Sequence, residues 1–273
     1  MAVITVSRQL GSLGTEIAQK VADVLQYEFV DREKMAKALG TYGLPEPDLE
    51  RFDEKKPPLW DSLQVQRRKF LHFLQAVIYD YARKGKVIIV GRGGQVLLKD
   101  LPGALHLRVV APLEVRLRRF MESGGIDEKQ ATRILRRSDR DSSGFIRSFF
   151  DVDWDDSALY DLVINTRKLS LDMAVQMILE FIRSPYIEEG GKKAEEKLMD
   201  IALLQKVEAT LLGILGVEIR HINIQVEGGM VILRGAVGSA MEKGNCEKSV
   251  AGLEGVRKVD NQLFVTEYFR FGG

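Results

Sequence analysis

Short β-like runs separated by long helical patterns fill the first two thirds of the chain, and this alternation constrains the fold more than any other feature. Strands joined through helices pair in parallel by right-handed crossovers, so the pattern predicts an α/β domain. A stripe of apolar residues over Trp60–Arg83 and a closing pattern over Leu171–Ile182 predict two of its helices. Five runs have the length and character of strands: Val3–Val6, Tyr27–Val30, Val87–Val90, Leu105–Val110 and Leu162–Ile164.

Two polar segments interrupt this pattern. Residues 44–58 hold four of the seven prolines, which predicts a loop. Residues 184–196 are polar and contain Gly190-Gly191, which predicts an interdomain linker. We therefore expect one domain at 1–183, a linker at 184–197 and a second domain at 198–268.

The pattern changes after the second polar segment, where a small α+β domain of order α-β-β-α-β is predicted. Gly228-Gly229 is a tight-turn signal between its first two strands. The elements are a helix over Leu198–Leu215, strands Ile222–Val226 and Met230–Leu233, a helix over Ser239–Leu253 and a strand over Lys258–Val265.

Composition excludes several classes of protein. With 40 Lys+Arg against 39 Asp+Glu in 273 residues, the chain has no global basic field for nucleic acid or anionic lipid. Its one cysteine, Cys246, cannot form an internal disulfide. No apolar run reaches the roughly 18–20 residues of a membrane span, and the start of the chain does not resemble a signal peptide. We expect a cytoplasmic protein with no nucleic-acid partner and no membrane span.

The loop between the first strand and the first helix is the first candidate site. Helix amides and the helix dipole attract phosphate at this position of α/β proteins. The loop runs from Ser7 to Gly14 and is followed by Thr15, but it lacks the lysine of a full G-x-x-x-x-G-K-[ST] motif and has Arg8 in place of the first glycine. By itself, a glycine-bearing turn without a ligand explains this loop equally well.

Two arginine-bearing motifs favour the phosphate site. Arg133, Arg136, Arg137 and Arg140 recur at helical spacing, and guanidinium groups match phosphate oxygens. We favour a phosphate-closing lid with a hinge at Ser142-Ser143-Gly144 over a solvated helix face. Arg92 lies in Gly91-Arg92-Gly93-Gly94, directly after a buried strand, where open parallel sheets bind ligands. A plain GRGG turn is the alternative.

Several other features have ordinary explanations. His72, His106 and His221 lack partners at zinc-ligand spacing, and Cys246 fits a small buried residue. The acidic turn at 151–156 fits a partner of the lid or a helix N-cap around Trp154 better than a metal site. The aromatic pair Phe149-Phe150 is better explained by packing than by stacking on a base.

The order of these motifs resembles the cytidylate-kinase-like branch of P-loop nucleoside monophosphate kinases. The segments that carry the resemblance are VITVSRQLGSLGTEIAQKVA, FVDREKMAKAL, VIIVGRGGQVLL, LRRSDRD and FFDVDWDDSALYDLVINTRKLSLDMAVQMI. The resemblance covers residues 1–183 and implies a five-stranded parallel sheet flanked by helices, with ATP and Mg²⁺ as cosubstrate and cofactor.

By position, the resemblance also assigns site residues. The donor phosphates would lie against Gly11, Ser12, Gly14 and Thr15, with Arg8 beside them and Thr15 as the candidate for an indirect Mg²⁺ contact. The acceptor nucleotide would face Asp31, Lys37, Arg92 and Asp141. The lid would act on the transferring phosphoryl group through Arg137, Asp139 and Arg140.

One departure from the family pattern bears directly on catalysis. The P-loop lysine position falls on Gly14, and losing that cation would cost roughly 2–3 orders of magnitude in rate. Either Arg8 or the lid arginines supply the charge, or catalysis is weak or absent.

The second domain resembles the BON domain, through the segment HINIQVEGGMVILRGAVGSAMEKGNCEKSVAGLEGVRKVDNQLFVT. The resemblance implies a protein or small-ligand partner, and we favour a sensor or interaction role over a lipid adaptor because the segment is electrically neutral. The sequence as a whole predicts an ATP-dependent phosphotransferase of the nucleoside monophosphate kinase type, able to form a homo-oligomer. The alternative is a non-catalytic nucleotide sensor that signals through the BON-like domain.

Overall fold

A five-stranded parallel sheet of order β2-β3-β1-β4-β5 forms the centre of the first domain in the computed structural model, which describes residues 2–42, 64–213 and 222–266. All four strand pairs are parallel. The predicted α/β class and P-loop kinase-type sheet are therefore confirmed. The strands are β1 Val3–Arg8, β2 Glu28–Val30, β3 Val87–Val90, β4 Ala104–Val110 and β5 Leu162–Asn165.

Helices flank both faces of this sheet. Side-chain caps explain where two of them begin, because Asp127 accepts from the Gln130 amide and Ser170 accepts from the Met173 amide. The proline-rich segment 44–58 and residues 60–63 of the predicted helix lie outside the described residues. The helices are α1 Gly14–Leu25, α2 Arg32–Thr41, α3 Gln64–Lys84, α4 Gly94–Leu97, α5 Leu113–Gly124, α6 Glu128–Phe150 and α7 Leu171–Ile182, with a 3-10 turn at Ser157–Leu159.

The two faces of the sheet pack into separate hydrophobic cores. Val3 and Ile89 belong to one core, which contains α3 and the end of α6. Ile4 and Ile88 point to the other, which contains α1 and α7. This alternation of neighbouring residues is what a strand buried on both sides requires, and it fixes the register of the sheet.

The small C-terminal domain has the predicted α+β order. A long helix, α8 Pro185–Gly213, precedes an antiparallel pair and a third strand that pairs in parallel. Gly228 and Gly229 both adopt positive φ in the tight turn. The remaining elements are β6 Ile222–Glu227, β7 Met230–Val237, α9 Ala240–Ala251 and β8 Lys258–Val265.

Helix α8 corrects one expectation, since the segment predicted as a polar linker is helical from Pro185 onward. The buried residues described in its first half, Ile187, Gly191, Ala194 and Leu198, recur at helical spacing. Gly103 and Gly190 permit a close approach, because a Cβ on Gly103 would lie 2.3 Å from the Gly191 backbone nitrogen and one on Gly190 would lie 2.4 Å from the Gly103 nitrogen. The diglycine therefore marks tight packing against the sheet domain and not a break. The domain boundaries themselves stay a prediction.

Candidate functional site

The loop between β1 and α1 forms a backbone cradle. Gly11 and Leu13 both have left-handed φ values, +78° and +66°. This conformation costs a leucine about 1 kcal/mol or more, and such strain is concentrated at functional sites. Leu13 is the N-cap of α1 and supplies no side-chain hydrogen bond, so the first-turn amides of α1 are directed at the loop.

A cleft of about 110 Å³ lies over this cradle. Its lining includes Gly11, Gly14 and Thr15 from the loop side, and Ser138 and Ser142 from α6. Helix amides, a helix dipole and an adjacent hydroxyl together suit an anion such as a phosphate group. The structure therefore brings Gly11, Gly14 and Thr15 to one surface, whose chemistry suits an anion.

Ser12, which the sequence placed among the phosphate contacts, turns inward. It is fully buried, and its hydroxyl lies 2.7 Å from the Gln9 carbonyl oxygen and 3.0 Å from that of Val109. Ser12 thus fixes the loop to strand β4, and its side chain does not face the cleft.

Arg8 lies across Gly14 at the mouth of the cleft. A Cβ placed on Gly14 would lie 2.4 Å from the Arg8 Cβ and 3.0 Å from its Cγ, far inside normal carbon–carbon contact. The Arg8 Nε donates to the Thr15 hydroxyl at 3.4 Å. Arg8 and a side chain at position 14 therefore exclude each other in this loop conformation.

The GRGG loop lines a second, narrow cavity next to the first. Gly91, Arg92 and Gly93 all have positive φ, and Arg92 is only 6% exposed. A side chain at Gly93 would require Phe150 to move, because its Cβ would lie 2.2 Å from the Phe150 ring. The cavity shares Arg8 and Ser142 with the first, so two arginines stand at adjoining sites.

Helix α6 presents a different face to the cavities from the one that the sequence predicted. Ser138 and Ser142 line them, whereas Arg137 and Arg140 are exposed. At 100° per residue, Arg137 and Arg140 lie about 150° around the helix from that serine face. Asp141 pairs with Arg137 at 3.6 Å instead of facing an acceptor. The structure therefore does not bring Arg137, Arg140 and Asp141 to the phosphate loop.

The predicted hinge within α6 is also wrong, because the helix continues unbroken through Ser142, Ser143 and Gly144. The tertiary environment explains this continuity. Phe145, Ile146 and Phe149 follow on one face and are buried in the core beside α3, which holds the last turns of the helix in place.

Asp139 pairs with Arg116, a buried residue that the sequence reasoning missed. Two Arg116 nitrogens donate to the two Asp139 carboxylate oxygens at 3.0 and 2.8 Å. Arg116 also donates to the carbonyl oxygens of Ala111 and Leu10. Asp139 is thereby a positioning residue that ties α6 to α5 and to the phosphate loop.

Asp31 and Lys37 lie away from both cavities. Asp31 is the N-cap of α2 and accepts from the Lys34 amide at 2.9 Å. Lys37 is exposed and faces a separate groove between α2 and α3 that Tyr42 also lines. The structure does not bring these two predicted acceptor contacts together with Arg92.

The acidic turn serves a buried arginine beneath the second cavity and not the lid. Arg108 of β4 pairs with Asp155 and lies 4.0 Å from the Trp154 ring centre. The Trp154 indole donates to the Ser7 hydroxyl at 2.8 Å, and both residues line the cavity wall. The predicted N-cap is found at Asp156, which caps the 3-10 turn.

His106 is a neutral structural residue close to the GRGG helix. Its Nδ1 lies 2.8 Å from the Thr5 hydroxyl, and its Nε2 lies 3.2 Å from the Leu98 carbonyl oxygen. Because a carbonyl oxygen only accepts, Nε2 carries the proton. Burial lowers the pKa of His106, despite an opposing effect of Asp161. No cluster of three or more metal-ligating side chains occurs in the described ranges. Burial raises the pKa of the Cys246 thiol, which agrees with its interpretation as a small buried residue.

The sheet order, the phosphate loop and the adjoining arginine cavity define an α/β protein with a P-loop kinase-type sheet, extended by a small α+β domain. Residues 3–168 match the cytidylate kinase-like family, and the chain belongs to that family. Residues 200–267 match the BON domain. Helices within 2–42, 64–213 and 222–266 are too short or too polar to span a bilayer.

Individual relatives agree with this assignment. A cytidylate kinase of Staphylothermus marinus is 25% identical over 67% of this chain and 97% of its own length. One from Pyrococcus horikoshii is 26% identical over 71% of this chain and 96% of its own. An uncharacterized protein from Eubacterium ventriosum shares the fold, with a TM-score of 0.54 and 22% identity over 67% of this chain and 99% of its own.

Proposed function

We propose that the chain is an ATP-dependent phosphotransferase that acts on a nucleoside monophosphate, with its BON domain in a regulatory or interaction role. The observation that carries this proposal is the pair of adjoining cavities, one over the α1 amides and one over the GRGG loop, which share Arg8 and Ser142. Donor and acceptor phosphates placed in the two cavities would meet beside Arg8.

The residues divide the work of phosphoryl transfer between them. The α1 amides hold the donor phosphates, and Arg92 holds the acceptor phosphate. An acceptor phosphate oxygen forms a bond to the γ-phosphorus, while the bond to the β–γ bridging oxygen breaks and ADP leaves with that electron pair. Mg²⁺, for which Thr15 offers an exposed hydroxyl in the first turn of α1, would neutralise charge on the donor phosphates when bound.

Arg8 replaces the P-loop lysine in this proposal. A lysine at position 14 would start from the point where the Arg8 side chain now lies. Compared with the G-x-x-x-x-G-K-[ST] pattern, the chain has arginine in place of glycine at 8 and glycine in place of lysine at 14, so one cation still lines the cleft. Any action of Arg137 and Arg140 requires α6 to move, so their catalytic role stays a prediction.

The test is ADP formation from Mg-ATP across a panel of nucleoside monophosphates. Arg92→Gln should lower kcat/KM for the acceptor by about 10²-fold, since a charge-assisted contact is lost, while Arg183→Gln at the exposed end of α7 should have no effect. Arg137→Ala and Arg140→Ala measure the contribution of the lid. Absence of turnover above background, with all variants indistinguishable from wild type, would remove the enzyme proposal.

A nucleotide sensor is the second candidate, and helix α8 favours it. Leu198 and Ala209 belong to the core beside α3, whereas Leu203, Val207 and Leu211 belong to the core of the BON domain. A change in the sheet domain therefore has a direct structural route to the BON domain. Calorimetry that shows nucleotide binding without ADP formation would select the sensor over the enzyme.

A further inference from the structure

Gln95 is a buried polar residue that the proposed mechanism does not use. It lies in the short helix α4, directly after the GRGG loop, and is 2% exposed. Its amide nitrogen is buried and has no hydrogen-bond partner among the described residues. Buried side-chain amides are nearly always paired, so an unpaired donor here calls for an explanation.

The position of Gln95 supplies that explanation, since it lines the cavity that contains Arg92. The other walls include the apolar side chains of Phe145, Ile146 and Trp154. The lining combines arginines, an apolar wall and neutral polar groups, the hydroxyls of Ser7 and Ser142 and the unpaired Gln95 amide, which suits a ligand with an anionic end and an uncharged polar group. The arginine guanidinium groups suit the phosphate, so the Gln95 amide is available for the uncharged polar group of the ligand.

We infer that Gln95 donates a hydrogen bond to the base of the acceptor nucleotide, at a carbonyl oxygen or an unprotonated ring nitrogen, and thereby helps to select the acceptor. The inference rests on the proposed function, which it deepens by naming the chemical group that is recognised. Sites built around a buried donor discriminate against ligands that leave the donor unpaired.

The experiment compares ligands that carry a base with one that lacks it. Calorimetry measures binding of CMP, UMP, AMP and GMP, and of ribose 5-phosphate, which keeps the phosphate and lacks the base, to the full chain without ATP. Gln95→Leu removes the donor at similar volume and should weaken binding of the preferred nucleotide about five- to tenfold. Binding of ribose 5-phosphate should stay within twofold. Gln176→Leu, at an exposed glutamine of α7, is the matched control.

The outcomes are separable. A loss confined to the base-bearing ligands supports the inference. An equal loss for ribose 5-phosphate shows that Gln95 only maintains the cavity and overturns it, as does unchanged binding in Gln95→Leu or no binding of any nucleotide to wild type. Nucleotide binding without ADP formation defeats the kinase proposal, while the Gln95→Leu comparison still decides the role of Gln95.

Discussion

The arginine at position 8 and the glycine at position 14 lead to a prediction for a double mutant. Gly14→Lys introduces a Cβ only 2.4 Å from the Arg8 Cβ. Both atoms are attached to the backbone, so neither can swing away, and overpacking of this kind costs about 1–3 kcal/mol. At about 2–4 °C of melting temperature per kcal/mol for a domain of this size, we expect Gly14→Lys to melt roughly 2–12 °C below wild type.

Arg8→Gly should have the opposite profile. It removes the cation at the cleft, so kcat should fall by about 10²–10³-fold, which corresponds to roughly 3–4 kcal/mol of transition-state stabilisation. Stability should change by only about 0.5–1 kcal/mol, from the added backbone freedom of glycine.

The double variant Arg8→Gly/Gly14→Lys should recover most of both losses, because the clash is gone and the cation enters from position 14. We expect kcat/KM within about tenfold of wild type and a coupling energy of at least about 2 kcal/mol between the two sites. ADP formation measures activity, calorimetry with ATP measures donor affinity, and thermal unfolding measures stability.

A matched control separates the clash from the added lysine. A Cβ added at Gly40 on α2 would meet no neighbouring side chain or loop within 4 Å, so Gly40→Lys should leave stability within about 1 kcal/mol of wild type. A double variant as inactive and as weak in ATP binding as Arg8→Gly would show that Arg8 does not replace the lysine, and a Gly14→Lys variant that melts at the wild-type temperature would show that the two positions do not clash.

Three further predictions concern the surroundings of the site. Asp139→Asn leaves the buried guanidinium of Arg116 without its carboxylate and should cost about 3 kcal/mol in urea unfolding; a loss below about 1 kcal/mol would contradict the assigned role. Gly93→Ala should destabilise more than Gly125→Ala in thermal unfolding, because both have positive φ but only Gly93 meets another side chain. His106 binds its proton less readily in the folded state, so stability should fall as pH drops below the unfolded pKa of about 6.5, and His106→Gln should reduce this fall in pH-dependent unfolding.

The strands were predictable because their signal is local. Val87–Val90 is a run of β-branched residues close to glycines on both sides, and such a run is buried on both faces of a parallel sheet. The position of β1 between β3 and β4 was not predictable in this way, since it depends on pairing between distant segments. Short helices such as α2 also gave no periodic signal of their own.

The site was predictable in its loops and not in its side-chain partners. Arg8 and Arg92 stood out in glycine-bearing loops, whose glycines mark backbone that must bend or approach a ligand. Arg116 and Gln95 did not, because nothing in sequence shows that a polar residue is buried. The arginines of α6 do lie on one face of a helix, as predicted. Periodicity cannot tell which face of that helix meets the sheet domain. The burial of the aromatic face at 145–149 determines how α6 is oriented.

Helix α8 connects the two domains, because its buried residues belong to both cores. Its residues Leu198 and Ala209 lie about 170° around the helix from Leu203, Val207 and Leu211, and the two sets are buried in different cores. A helix packed on opposite sides cannot slide or rotate without disturbing one of the cores, since packed interiors resist continuous deformation. The Arg83–Glu254 pair, at 3.7 Å, adds a contact between α3 and the loop before β8. A ligand on the BON domain that displaces α8 must therefore also disturb the packing of α3, which borders the same core as α6, the helix that walls the phosphate cleft.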